Sequence, residues 1–210
     1  MEILDKRPIS TEVIFNILEI TKEKIRDNIN IEAILHETTK DLEASQKIVK
    51  WITHEVILCS EKILSNENKV FKLINQNKIE IAKEILIVNE VLKIIINKLK
   101  LISNRIINIR ERIINIIEKI KKLNKKFYLS EKEMKDEKII KRKIREIATF
   151  LLYLVDLNKY LIKMNKNIDL ARTLIEDLRE IMEKSMLDKK IMKYCNEKML
   201  ERIERKLKQY

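Results

Sequence analysis

The chain of 210 residues contains no glycine and a single proline, Pro8, and this absence limits its folds more than any other feature. Turns with positive φ, tight strand hairpins and close backbone crossings normally recruit glycine, because a Cβ is penalised there. A fold with few sharp reversals follows, which means long helices joined by a small number of loops. The same absence removes the glycine-dependent phosphate loops, the dinucleotide fingerprint and the nucleophile elbow.

Hydrophobic residues make up 45% of the chain, charged residues 37% and aromatics only 5%, the balance of long helices whose apolar stripe is aliphatic. A chain of this length can bury a sizeable core. The expected fold is therefore all-α: an elongated helical bundle, or coiled-coil-like long helical hairpin with additional N-terminal helices, forming one domain over residues 1–210. About one residue in five is isoleucine, and asparagine is also frequent. An AT-rich coding sequence accounts for both, so the asparagines are given no individual weight beyond local cap and loop signals.

Helices are expected at approximately 10–28, 30–64, 69–126, 131–185 and 189–208. Pro8 with Ser10, Thr11 and Glu12 reads as a helix start, and Asn30 can cap the second helix. The second helix has a seam in alternating steps of four and three through Ile31, Leu35, Thr38, Leu42, Ser45, Val49, Ile52, Val56, Cys59 and Ile63. Ser65-Asn66-Glu67-Asn68 reads as a loop, because short polar side chains compete with helical backbone bonds.

The third seam runs from Ile81 through Leu92, Leu99, Ile106, Ile113 and Ile120 to Phe127. Flanking apolar residues at Ile87, Ile94, Leu101, Ile107, Ile114 and Ile117 suggest that this helix has two or more neighbours. In the fourth helix Ile140, Ile147, Leu154, Leu161, Ile168, Ile175 and Met182 recur every seven residues. Their companions change from Ile144 and Leu151 to Leu157, Met164, Ala171 and Leu178, which suggests that the buried face rotates near Asn158. Ser185 to Asp188 reads as a further break.

Chemistry-bearing constellations are sparse. His36 and His54 are the only histidines, and His54-Glu55 lacks the second histidine that a zinc-protease helix needs. Cys59 and Cys195 have no metal-ligand spacing and read as reduced thiols, Thr38, Ser45 and Cys59 as small seam residues that leave room for a bulky neighbour. No catalytic residues, metal ligands or cofactor, and no small-molecule substrate, are expected, and the chain reads as a non-enzyme. The start lacks a secretory pattern, and the longest apolar run, Ala148 to Val155, is too short to span a bilayer. A cytoplasmic location is expected.

Charge is unevenly distributed. Lys93 to Arg145 holds 18 Lys or Arg against 6 Asp or Glu, a surplus equal to the net charge of +12 for the whole chain. The expected hairpin tip, in the second half of this window, comprises Lys121, Lys122, Lys125, Lys126, Phe127, Tyr128, Lys132, Lys135, Lys141, Arg142, Lys143 and Arg145. Clustered bases beside aromatics suit an anionic membrane surface or a phosphate backbone. Lys98, Arg105, Arg112, Lys119 and Lys126 repeat every seven residues beside the third seam, a row suited to acids on a neighbour.

The stretch from Leu99 to Ile109, with Ile102, Ser103, Asn104 and Asn108, resembles the L-E-R-I-G-D-x-x-x-N-I segment of the PhoU family of phosphate-signalling helical proteins. Leu4 to Arg7 is similar to the entry of PhoU-like domains. The resemblance implies a helical regulator, but the acidic metal-binding positions of the family fall on Lys100 and Asn104, so no metal ligand is carried over.

The expected function is a helical scaffold or adaptor. Its seams would associate with a helical partner or a second copy, and its basic region, residues 93–145, would engage an anionic surface or acidic partner. A nucleic-acid-binding protein using the same bases is the alternative, and a PhoU-like regulator is another.

Overall fold

A computed structural model describes residues 30–124, 137–183 and 189–209. The described residues are helical, with no strand: α1 Ile31–Asn75, α2 Ile79–Asn124, α3 Glu137–Glu183, the single turn α4 Lys189–Met192, and α5 Glu197–Leu207. The all-α expectation therefore holds. The expected helix at 10–28 and the break at Ser185 to Asp188 lie outside the described residues.

Asn30 caps α1 as its sequence suggests, its Oδ1 accepting from the Ala33 N–H at 3.0 Å. The expected loop at Ser65 to Asn68 is instead the interior of α1, which continues to Asn75. The reason is Asn66: its amide is buried and donates to Asn89 Oδ1 across to α2 at 2.8 Å, so this polar side chain supports the helix instead of breaking it. Val70, buried one turn on, continues the apolar face.

The reversal lies at Gln76 to Lys78, where Asn77 has φ 61. Asparagine enters this left-handed region more readily than other residues with a Cβ, and here it performs the helix-ending role that glycine usually takes. The Asn77 N–H donates to Ile74 O at 2.9 Å and the Lys78 N–H to Leu73 O at 2.9 Å, satisfying two end carbonyls of α1. The expected fifth helix is also divided, because Asn196 caps α5 by accepting from the Met199 N–H at 2.9 Å.

The helices contribute to two compact units, one drawn from Met1–Leu42 with Glu111–Ile162, the other from Glu43–Arg110 with Lys163–Tyr210. In the second, α1 and α2 are antiparallel. The pairs Asn66–Asn89 and Ser45–Arg110 are separated by the same three heptads on both helices. The core there joins Ile52 and Cys59 of α1 to Leu92, Ile95, Leu99 and Ile106 of α2, and to Met164, Ala171, Ile175 and Leu178 of α3, with Met199 and Ile203 of α5 buried alongside. In the first unit Thr38, Ile113, Ile116, Ile120, Ile140, Phe150 and Leu157 are buried.

The seam of α2 follows its sequence pattern from Val88 through Ile120, with only Ile109 less than fully buried. Its flanks divide: Ile87 is buried, Ile94 and Ile117 are half-buried, and Leu101, Ile107 and Ile114 are exposed. On α3 the expected rotation of the buried face does not occur. Lys143, Phe150, Leu157, Met164, Ala171 and Leu178 form one buried row in steps of seven, whereas Ile144 and Leu151 are exposed. The sequence pattern misses this because the row begins with a lysine, whose aliphatic stem packs while its ammonium turns to Glu146 at 3.3 Å.

Candidate functional site

The basic region divides into described and undescribed parts. Lys125, Lys126, Phe127, Tyr128, Lys132 and Lys135 lie outside the described residues. Of the others, Lys121, Lys122, Lys141, Arg142 and Arg145 are exposed, while Lys143 is buried. Arg142 and Lys143 both approach Glu146, at 4.0 and 3.3 Å. Lys143 is therefore a core lysine with a local partner, whereas those five bases face solvent.

The heptad row on α2 meets aromatic rings where acids were expected. Lys119 sits 5.2 Å from the centroid of Tyr153 and Arg112 5.6 Å from that of Tyr160, both pairs within the first unit. Arg112 also donates to the Tyr160 hydroxyl at 2.9 Å. In the second unit Lys98 lies 5.2 Å from the ring of Tyr194. A tyrosine face attracts a cation through its quadrupole and also supplies apolar packing, so one residue type performs both tasks along the seam edge. Acids of α3 in the second unit have local partners: Asp177 accepts from Tyr194 Oη at 2.7 Å and lies 3.4 Å from Lys190, which also pairs with Glu180. Burial, and then Asp177, push the Tyr194 phenol upward.

A second constellation was not singled out by sequence. Glu55 is buried on α1, and Arg179 of α3 donates to its Oε1 through Nε at 3.0 Å and also through Nη2. Trp51 Nε1 donates to the same oxygen at 3.0 Å, and the guanidinium lies 5.1 Å from the indole ring. The Arg179 hydrogen bonds hold the Glu55 carboxyl below its usual range, against the opposing effect of burial. The signal in sequence was Trp51 and Glu55 at i, i+4, but a lone carboxylate on a lysine-rich helix gives no sign of burial.

The small seam residues are also accounted for. Thr38 donates back to Ile34 O at 2.7 Å. Ser45 accepts from Arg110 Nη1 at 2.6 Å, so Arg110 is the bulky neighbour that its small side chain admits. Cys59 is a free thiol that burial, and then Glu55, push up to about 12, leaving it protonated and unreactive at neutral pH. His36 and His54 are exposed on α1. Among the described residues no group of three or more His, Cys, Asp or Glu could hold a metal ion, and no helix is long and apolar enough to cross a membrane.

No family model, curated protein or solved structure matches the chain. In the segment resembling PhoU, Leu99 and Ile102 are buried seam residues and Asn104 and Asn108 are exposed, so its apolar matches are positions that any heptad seam would fill.

Proposed function

We propose that this protein is a non-enzymatic helical scaffold or adaptor that engages an anionic partner through the basic region 93–145. The observation that carries this reading is the group of exposed bases Lys121, Lys122, Lys141, Arg142 and Arg145 in a window that holds the whole net charge of the chain. Such a field attracts anionic partners and speeds their encounter.

The test is binding of an acidic polypeptide, anionic vesicles and duplex nucleic acid by the full chain at low and high salt. At least one should bind, with affinity falling at high salt. Combined Lys121→Glu, Lys122→Glu, Arg142→Glu and Arg145→Glu should weaken it at least tenfold. Binding to none of the three contradicts the reading. Binding to nucleic acid alone, with a steep salt slope, replaces it with the nucleic-acid alternative, which rests on the same bases.

A further inference from the structure

In the second unit α4 is anchored firmly, and α5 follows it through a connection that holds no backbone bond across it. Ile191 of α4 is fully buried. The Tyr194 hydroxyl donates to Asp177 of α3 at 2.7 Å, and Lys190 pairs with Asp177 at 3.4 Å and with Glu180. Cys195 belongs to this anchor, its N–H donating to Met192 O at 3.1 Å and its Sγ to Ile191 O at 3.4 Å. Asn196 belongs to α5, its carbonyl accepting from the Leu200 N–H at 3.1 Å and its Oδ1 from the Met199 N–H at 2.9 Å. Among the described residues no backbone hydrogen bond joins the two sides, and Asn196 is extended at φ -140 and ψ 163. Rotation about the Cys195–Asn196 connection therefore swings α5 without breaking a backbone bond.

Helix α5 carries its own stabilising features. Besides the Asn196 cap it has Glu197 in its first turn and Arg205 and Lys206 in its last, the arrangement that the helix dipole favours, and Arg205 approaches Glu201 at 3.8 Å. Its hold on the unit is smaller. Met199 and Ile203 are its buried side chains, whereas α2 buries Val91, Leu92, Ile95, Ile96 and Leu99 in succession. The ion pair of Glu204 with Lys83 at 3.4 Å is open to solvent and contributes little. That pair sets α5 beside the start of α2, where Ala82 and Leu86, on either side of Lys83, are fully buried.

We propose that α5 is an autoinhibitory flap. It opens about Cys195–Asn196 while α4 stays fixed on Asp177, and the apolar face it leaves at Ala82 and Leu86 docks an amphipathic helix with the same pattern as Met199, Leu200, Ile203 and Leu207. Elements that move are drawn from the least stably held parts of a fold. The proposal makes no use of the basic region, so it and the adaptor reading fail separately.

Two measurements on the intact chain test it. In hydrogen exchange read by mass spectrometry, the amides of Met199 to Lys208 should exchange at least tenfold faster than those of Val91 to Leu99, because a helix of 11 residues is marginal once off its bundle. Exchange at one common rate overturns the flap. In the second, a labelled peptide of residues 196–209 is titrated with the chain and its fluorescence anisotropy followed. Met199→Lys with Ile203→Lys, which removes the tethered competitor, should raise affinity for the peptide at least tenfold over wild type. Equal affinity, or binding to neither chain, overturns the docking face. A variant that loses its helical circular dichroism throughout makes α5 an integral wall of the unit and overturns the proposal as well.

Discussion

Asn66 and Asn89 are both buried, and their pairing is the kind of polar contact that sets register instead of adding net stability. Asn66 donates to Asn89, and Asn89 in turn donates to Ile63 O at 3.4 Å. Removing one member leaves the other without its partner in an apolar seam, so Asn66→Ala should destabilise by about 1–3 kcal/mol in denaturant unfolding. Replacing both with leucine should recover much of that loss while weakening the preference for one helix alignment. The Glu55–Arg179 pair makes a parallel case with a pH signature. Because the folded Glu55 sits below its ordinary value of 4.5, its contribution is fully present above that value and is lost as pH falls through the depressed one. Arg179→Met should cost about 2 kcal/mol at neutral pH, between the limits for exposed and buried pairs, since only the carboxylate is fully buried. In that variant the unpartnered carboxyl should titrate higher, so stability relative to wild type should rise on acidification. A parallel acid-unfolding series checks both signs.

The helical elements are the best-read part of this sequence, and their ends the worst. The α2 seam was legible because a long aliphatic series in steps of four and three has one structural solution, and Asn30 was legible because a cap needs only local geometry. The sequence pattern places the turn at Ser65–Asn68 whereas it lies at Asn77, because a helix interior can absorb Asn66 once a distant residue, Asn89, satisfies it. That information is tertiary. The exposed half of the basic site was legible as charge, but the burial of Lys143 and the tyrosines beneath Arg112 and Lys119 depend on which α3 residues face α2. Asn77 gives a direct test of how a glycine-free chain reverses direction. Asn77→Gly should stabilise by about 0.5–1 kcal/mol, and Asn77→Val should destabilise by about 1–2 kcal/mol, since a β-branched residue resists positive φ. Thermal unfolding of the two variants should therefore move in opposite directions from wild type.

For the molecule as a whole, the surplus of +12 charges is gathered in one window, Lys93 to Arg145. The exposed bases Lys121, Lys122, Arg142 and Arg145 of that window are those through which the proposed adaptor would engage an anionic partner. The most direct test of that central claim is binding of the full chain to an acidic polypeptide, anionic vesicles and duplex nucleic acid at low salt, where attraction between opposite charges is least screened. The account predicts binding to the acidic polypeptide or the vesicles that weakens at high salt, and binding to none of the three would contradict it.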